Sequence, residues 1–386
     1  MDFIGAFGGG VASLAGTLAA FLFVLTLVVF VHEYGHFIVA RWCGVRVRVF
    51  SVGFGKELFG WNDRQGTRWR LSAIPLGGYV KFDGDANAAS VPDYEAVKQM
   101  SAEERAGSIF HKTVGQRAAI VAAGPAANFL MAIVIFAGMA YINGRQVLLP
   151  RIETVQAGSA AERAGFTHGD IVRSINGVTV DSFADMQRIV SMNAGETLTI
   201  MVDRGGETLP LQAIPDLREV SSPFGTQRIG VLGLQASSDP ASWRTETYGL
   251  ASSVRIGLQE TWRVVEQTGH YLKRVVTGKE STDQLSGPIR IAEVSGTVAR
   301  LGGLGGLINL AALLSVSIGL INLVPIPMLD GGHLLFYAIE AVRGRPLSEK
   351  AQELGFRIGL ALVLTLMVFV TWNDLTHLGG LAGRAD

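Results

Sequence analysis

The chain is poor in charged residues and nearly free of cysteine. Only 17% of its 386 residues are charged, compared with roughly 25% in a soluble globular protein, and 48% are hydrophobic. The 33 basic and 33 acidic residues balance, so nothing indicates a general affinity for nucleic acid or for strongly acidic partners. Cys43 is the single cysteine, which excludes an intrachain disulfide, and we interpret it as a packing residue.

The first forty residues contain no lysine or arginine. A cleavable signal peptide begins with a basic segment and has a shorter apolar core than the run found here. Because the basic segment is missing, we expect this stretch to be retained as a transmembrane helix.

Long uncharged runs account for the apolar excess. Four of them are candidates to cross a bilayer, which requires about 20 apolar residues per helix. They lie at about 11–40, between Arg117 and Arg145, between Arg300 and Asp330, and at 358–373. The fourth run is the shortest and is expected to be short or tilted. A buried helix of a soluble region is the alternative for it.

Basic residues beside these spans predict their orientation. They are concentrated in the segment 41–117 and in the connection 331–357, whereas the tail after the fourth span carries only Arg384. We therefore expect these two segments to face the cytoplasm. Residues 143–300 and both termini are expected on the other side.

The cytoplasmic segment begins with two β-like stretches. "GVRVRVFSVGFG" alternates with the period of a strand, and "TRWRLSAIPLGGYVKF" is a second, glycine-containing stretch of this kind. Together they predict a membrane-associated β-hairpin beside the first span, followed by a polar linker. The hairpin either holds the substrate by strand addition or lies on the surface without touching it.

The external region shows the order strand, turn, short helix, strand, hairpin, helix and two strands between residues 144 and 216. Asn176-Gly177 is a strong hairpin signal, and Ser182 or Asp181 can cap the helix that follows. The pattern resembles a PDZ domain of the permuted bacterial type, which binds peptides at a sheet edge. No clear Gly-Leu-Gly-Phe loop precedes it, so a domain that acts only as a steric gate is an equal alternative.

Residues 242–276 have the pattern of a long amphipathic helix. We expect this helix to lie on the membrane surface or against the PDZ-like region. Its apolar residues on roughly one side are Trp243, Leu250, Val254, Leu258, Trp262 and Val265.

The pentapeptide His32-Glu33-Tyr34-Gly35-His36 lies inside the first span. Residues four apart share a helix face, so both imidazoles can reach one ion, and the glutamate between them lies beside it. Ionisable residues are costly within a membrane and are usually functional there. The spacing therefore predicts a zinc site with His32 and His36 as ligands and Glu33 as the general base.

A catalytic zinc has three protein ligands and one open position. The segment "INLVPIPMLDGG" at 321–332 contains the candidate third ligand, Asp330. Pro325 and Pro327 should break the third helix near the cytoplasmic face, which presents the aspartate at the depth of the two histidines.

Two other interpretations of this segment are open. Asp330 could cap a helix that starts near Leu334, and the neighbouring His333 is a rival ligand. Gly331 and Gly332 are expected to let the backbone turn sharply at this point.

HEYGH in the first span and "NLVPIPMLDGG" in the third resemble the site-2 protease family of intramembrane zinc metalloproteases, peptidase family M50. "GPAANF" at 124–129, "SGPIRIA" at 286–292 and the PDZ-like region are similar to the bacterial RseP, RasP and MmpA group. One departure is clear. The RseP type carries two tandem PDZ domains, whereas this chain has room for about one before the helix at 242–276.

The resemblance implies a multi-pass protease of the bacterial cytoplasmic (inner) membrane that holds one Zn²⁺ and cleaves single-span membrane proteins near the cytoplasmic face. Anti-sigma factor-like substrates, first cut outside by another protease, are the expected targets. For Asn322 the resemblance implies binding of the substrate backbone, with an interhelical hydrogen bond as the alternative. Gly124, Pro125 and Asn128 are expected to pack around the site.

Two other functions fit parts of the pattern. A zinc transporter or sensor would use the same ligands without hydrolysis, but it explains neither Glu33 between the histidines nor the PDZ-like region. A catalytically silent membrane scaffold would only display the PDZ domain.

The predicted fold is a polytopic α-helical membrane protein of about four transmembrane helices, with a β-hairpin and an inserted PDZ domain. The predicted division is 1–42, first span; 43–112, hairpin and linker; 113–143, second span; 144–216, PDZ domain; 217–300, linker and amphipathic helix; 301–332, third span; and 333–386, connection, fourth span and tail.

Overall fold

A computed structural model describes residues 3–85, 99–222, 225–237, 242–277 and 287–382. The α-helices in these ranges are α1 (Phe3–Trp42), α2 (Ala102–Gly107), α3 (Val114–Asn143), α4 (Ala160–Arg163), α5 (Phe183–Met192), α6 (Leu250–Val276), α7 (Pro288–Asn322), α8 (Asp330–Arg343) and α9 (Glu349–Ala382). The strands are β1 (Val47–Asn62), β2 (Arg68–Phe82), β3 (Arg145–Leu148), β4 (Ile152–Val155), β5 (Ile171–Ile175), β6 (Val178–Thr179), β7 (Leu198–Arg204), β8 (Glu207–Ala213), β9 (Asp216–Ser222), β10 (Gly225–Val231), β11 (Leu234–Ala236) and β12 (Trp243–Glu246).

Four helices are long and apolar enough to cross a membrane, namely Ser13–Trp42 of α1, α3, α7, and Glu349–Thr376 of α9. They coincide with the four predicted spans, which confirms four helices of sufficient length and apolar composition to cross a bilayer. α7 begins at Pro288, earlier than the predicted start at residue 301, and bends at Gly303, where φ is 56°. It ends at Asn322 because the prolines that follow cannot continue a helix.

The fourth span shows the surface expected of a helix in lipid. Its apolar side chains are exposed on several sides, whereas a buried helix of a soluble region would cover them. The exposed residues include Leu360, Leu362, Leu364, Leu366, Met367 and Val368.

The chain divides into a helical unit, formed by residues 1–138, 254–281 and 285–386, and a strand-rich unit that contains residues 139–253. In the strand-rich unit, β6, β5, β7 and β8 form one sheet in that order. The β5–β6 hairpin turns at Asn176-Gly177, both with positive φ. Ser182, rather than Asp181, caps α5 by accepting a hydrogen bond from the Asp185 backbone.

The strand-rich unit continues beyond the predicted boundary at residue 216. β11 pairs with β4, β12 pairs with β3, and β9 pairs with β10. The region from residue 217 to the long helix therefore contains strands where a linker was predicted, and the long helix begins at Leu250 rather than at residue 242. Strands as short as β11 and β12 are too brief to show a period in the sequence.

Helix α6 buries a different face from the apolar one noted in the sequence. The buried positions include Ser253, Gly257 and Thr261, while Leu258 and Trp262 are exposed. A Cβ on Gly257 would lie 2.5 Å from the carbonyl oxygen of Ile133. Small residues thus let α6 approach α3 closely, which is the usual basis of helix contacts in membranes.

The predicted hairpin is present as β1 and β2, and both strands bend. Residues 49–52 of β1 pair with 68–71 and also with 78–81 of β2, while residues 59–62 pair with 68–71. The hairpin is therefore folded into a compact sheet whose segment 78–81 lies at an edge.

Asp63 ties the turn of this hairpin to the end of α1. Its carboxylate accepts hydrogen bonds from the Arg41 guanidinium, from Trp69 Nε1 at 3.0 Å and from the Thr67 backbone at 3.0 Å. Burial alone would raise the pKa of Asp63, but these hydrogen bonds outweigh it and lower the pKa from 3.8 to about 2. Their contribution to stability is complete above pH 3.8 and is lost as the pH falls through about 2.

Asp374 anchors α9 to the start of α7. The side chain is 2% exposed and accepts hydrogen bonds from the backbone of Gly287 at 2.9 Å, and of Ile289 and Arg290 at 3.1 Å each. The first amides of a helix have no partner within it, so a residue from another helix performs the capping here.

We expect Asp374→Leu to lower the free energy of unfolding by about 1–2 kcal/mol, because the capped amides lose their acceptor. Thermal unfolding in detergent measures this. Asp374→Asn keeps an acceptor oxygen and should lie between the wild type and Asp374→Leu. An unchanged melting temperature for Asp374→Leu would contradict the capping role.

Candidate metal centre

Helix α1 presents His32 and His36 on one face, as their spacing predicts. Each side chain is 11% exposed, and the two Nε2 atoms lie 3.2 Å apart. A Cβ on Gly35 would lie 2.3 Å from the carbonyl oxygen of Ala123. Glycine between the histidines therefore lets α3 contact α1 directly at this depth.

Asp330 reaches the histidines from the break between α7 and α8. Its Oδ2 lies 3.2 Å from His32 Nε2, and its Oδ1 lies 3.5 Å from His36 Nε2. The structure thus brings together the three residues predicted as ligands. Within the described ranges they form the one cluster of histidine, cysteine and carboxylate side chains with the spacing of a metal site.

The break between the helices differs from its prediction in two respects. Helix α8 begins at Asp330 rather than near Leu334, so the aspartate is its first residue and directs its carboxylate to the histidines rather than capping a later helix. The residue with the unusual backbone is Met328, with φ of 88°.

Gly331 and Gly332 provide space rather than a turn. A Cβ on Gly331 would lie 2.3 Å from the carbonyl oxygen of Val324, and a Cβ on Gly332 would lie 2.4 Å from that of Ile326. The first turn of α8 can therefore pack against the loop that precedes it only without side chains at these positions.

The donor set has the geometry of a zinc site. Tetrahedral zinc with Zn–N distances of about 2.0–2.1 Å separates its ligand atoms by about 3.3 Å. Here the two histidine Nε2 atoms lie 3.2 Å apart, His32 Nε2 lies 3.2 Å from Asp330 Oδ2, and His36 Nε2 lies 3.5 Å from the other carboxylate oxygen, Oδ1. Asp330 Oδ2 is buried and accepts no hydrogen bond from the described residues. Two ring nitrogens and a carboxylate in this arrangement fit a cation and leave one tetrahedral position for water or substrate.

The carbonyl oxygen of Ile120 fixes the tautomer of His36. It lies 2.9 Å from His36 Nδ1. Because a carbonyl can only accept, Nδ1 carries the hydrogen and Nε2 directs its lone pair at the centre. Contacts of this kind orient metal-binding histidines in general.

Helix α3 also shapes the centre through Gly124. A Cβ at this position would lie 2.2 Å from His36 Nε2 and 2.9 Å from His32 Cε1. Pro125 lies within the same helix, and its carbonyl oxygen would lie 3.3 Å from a Cβ on Gly319 of α7. Asn128 is fully buried, and its amide lies 3.2 Å from His32 Nδ1.

Glu33 lies beside the hairpin edge. A Cβ on Gly78 would lie 3.0 Å from Glu33 Cγ, 2.9 Å from Val29 Cγ1 and 2.8 Å from the Ser51 carbonyl oxygen. The glycine is therefore needed where β2 crosses the glutamate, and the sheet edge runs alongside the residue predicted as general base.

The two remaining candidates are not members of the ligand group. His333 packs its ring against Phe356, with centroids 5.4 Å apart, and is not part of the group formed by His32, His36 and Asp330. Asn322 is the last residue of α7 and is half-buried.

Comparison with known proteins decides the family. The model of peptidase family M50 matches residues 20–366. The chain belongs to peptidase family M50. A protein of Rhizobium meliloti with the provisional name of a zinc metalloprotease is 49% identical over 365 residues, which cover 94% of this chain and 97% of the relative. Metalloprotease MmpA of Caulobacter vibrioides is 40% identical over 382 residues, which cover 93% and 95%.

This M50 protein is accordingly a metalloprotease with Zn²⁺ as its cofactor, and its four apolar helices make it a multi-pass membrane protein. The cluster of His32, His36 and Asp330 is the group of described residues that fits the ion.

Sequence reasoning missed three contacts of this centre. They are the Ile120 carbonyl at His36, the Asn128 amide at His32 and the passage of Gly78 beside Glu33. Backbone contacts such as that of Ile120 leave no trace in a sequence. Asn128 had a signal, because it follows Gly124 by four residues and so shares its helix face.

We expect Gly124→Ala to abolish zinc binding and proteolysis, because the added methyl group would overlap the His36 ring. Zinc content of the purified protein and cleavage of a membrane substrate measure the two effects. Gly138→Ala on the same helix is the matched control, since no atom lies within 4 Å of its Cβ position. Full zinc content in Gly124→Ala would show that the centre does not require this close approach.

Proposed function

We propose that this metalloprotease hydrolyses peptide bonds within or near the transmembrane segments of single-span membrane proteins. The observation that carries the proposal is that His32, Glu33 and His36 lie on a helix long and apolar enough to cross a membrane, and that Asp330 joins the two histidines there. A protease centre in this setting is suited to substrates that themselves lie in the bilayer.

The chemistry follows from the residues at the centre. When bound, zinc polarises a carbonyl group and increases the acidity of water. Glu33 follows one ligand directly and precedes the other by three residues, so its carboxylate can take a proton from the attacking water and pass it to the leaving amine. His32, His36 and Asp330 hold the ion and leave one position open.

A transmembrane substrate must be unwound before it is cut, since its backbone is hydrogen-bonded within its own helix. Freed backbone groups cost several kcal/mol each in lipid unless they find partners. The edge segment 78–81 of the hairpin pairs on one side with residues 49–52 and passes beside Glu33 at Gly78. Strand addition at this edge would satisfy the substrate backbone next to the general base.

Asn322 is a second proposed contact for the substrate. It ends α7, eight residues before Asp330, and is half-buried. Its side-chain amide can donate to and accept from an extended peptide.

The strand-rich unit is the proposed PDZ domain, on the extracytoplasmic side of a bacterial cytoplasmic membrane. Support comes from its turn at Asn176-Gly177, the capped helix α5 and the pairing of β11 with β4. β11 pairs with β4 alone among the described strands, and an unpaired edge is where PDZ domains add a peptide. We propose a steric gate as the other role to test. Such a gate would delay cleavage until the substrate is trimmed outside, as in regulated intramembrane proteolysis of anti-sigma factor-like proteins.

We expect Glu33→Gln to retain zinc but to lose about 10²–10⁴-fold in cleavage rate, because the amide cannot accept the proton. A purified single-span reporter in detergent or liposomes measures the rate, and atomic absorption measures the zinc. His32→Ala should lose both.

Cleavage by Glu33→Gln at the wild-type rate would refute the assigned base. A wild-type protein that transports zinc but cleaves no reporter would favour the transporter interpretation. A protein that binds zinc and neither cleaves nor transports would favour the scaffold.

We expect Asn322→Leu, in a Glu33→Gln background, to weaken capture of the reporter by about 5–150-fold, the equivalent of losing about 1–3 kcal/mol of hydrogen bonding. Zinc content should not change. Ser317→Ala is the matched control on α7, because this hydroxyl bonds only to the carbonyl of Leu313 within its own helix. Equal capture by both variants would remove Asn322 from the substrate site.

A further inference from the structure

Asn128 of α3 has an amide that contacts the ring nitrogen of His32 pointing away from the metal cluster. The side chain is fully buried. Its amide nitrogen as placed lies 3.2 Å from His32 Nδ1, and its Oδ1 has no hydrogen-bond partner among the described residues. The amide therefore touches the metal centre from behind rather than filling space between helices.

The direction of His32 determines which atom of the amide must face it. His32 Nε2 lies 3.2 Å from both His36 Nε2 and Asp330 Oδ2, so Nε2 is the atom directed at the ion. A neutral imidazole that offers the lone pair of Nε2 carries its hydrogen on Nδ1. His32 Nδ1 is thus a donor, as His36 Nδ1 is towards the Ile120 carbonyl.

The His32 Nδ1–H group cannot form a hydrogen bond with the NH₂ group of an amide, because both groups are donors. Amide nitrogen and oxygen are nearly indistinguishable in shape, and their assignment follows from the hydrogen-bond network. Rotation by 180° places Oδ1 at His32. The NH₂ group then lies where Oδ1 had no hydrogen-bond partner among the described residues. The contact with His32 is therefore the one that decides between the two orientations.

We propose that Asn128 is a positioning residue of the metal centre, whose Oδ1 accepts the Nδ1 hydrogen of His32 and so fixes the tautomer and ring direction required for zinc. This role goes beyond the proposed function, since it concerns zinc binding whatever the substrate is. It adds a specific role to the packing predicted for Asn128.

The surroundings of Asn128 hold the amide in one place. Ser315 Oγ on α7 donates to the Asn128 carbonyl oxygen at 2.9 Å. A Cβ on Gly319 would lie 3.3 Å from Asn128 Cβ, so α7 packs directly on this turn of α3. One face of α3 thus carries Gly124, which leaves room for both rings, and Asn128, which orients one of them.

The test compares Asn128→Leu with Asn128→Asp in the full-length protein, with zinc affinity measured by chelator competition. Leucine has a similar volume but cannot accept, and we expect its zinc affinity to fall about 10–100-fold, as for other partners of metal-binding histidines. Aspartate accepts at the same place and should bind zinc at least as tightly as the wild type. Ser317→Ala, which removes a hydroxyl that donates to the Leu313 carbonyl within α7 and makes no contact with Asn128, should bind zinc normally.

The melting temperature of the zinc-free protein shows whether a variant loses zinc affinity because it is unfolded. Asn128→Leu and Asn128→Asp should have similar melting temperatures, and their zinc affinities should nevertheless differ. Wild-type zinc affinity in Asn128→Leu, or an equal loss in Asn128→Asp, would overturn the proposal. Failure of the wild type to cleave membrane substrates would instead contradict the proposed function and leave the zinc comparison valid.

Discussion

The structure depends on the close approach of three chain segments around two histidine rings. His32 and His36 come from α1, Asp330 comes from the break after α7, and α3 closes the centre from behind. Ligand atoms must lie about 3.3 Å apart to share one tetrahedral ion, and helix axes normally lie 8–10 Å apart depending on the side chains at the contact. Glycine at the points of contact satisfies both requirements.

The glycines of the centre therefore have one physical role. Gly35, Gly124, Gly331 and Gly332 do not have positive φ, yet a Cβ at any of them would lie 2.2–2.4 Å from a neighbouring atom. In a membrane there is little hydrophobic force to drive helices together, so contact area between backbones matters more. The packing that brings the ligands together also restricts rotation of the two imidazole rings. The Ile120 carbonyl further fixes the orientation of the His36 ring.

Hydrolysis needs water, and the position of the centre near the end of α1 explains how water can reach it within an apolar helix. His32 and His36 lie in the last three turns of α1 before Trp42, and Asp330 starts the helix after the break. Water therefore needs a short path from one face. The hairpin tied to the same end of α1 by Asp63 runs beside Glu33, so one helix holds both the proposed peptide-binding edge and the proposed general base.

The sequence by itself predicted the four apolar helices and the pair of histidines that joins Asp330 in the candidate zinc cluster, because hydropathy and the i, i+4 spacing are local properties of a helix. It also indicated the hairpin and the turns of the strand-rich unit. Only the tertiary structure decided that β11 and β12 belong to that unit, that α6 buries its small residues, and that the Asn128 amide lies against His32. These depend on contacts between residues 79 or more positions apart, and no local period in a sequence records which distant backbone will lie against a given side chain.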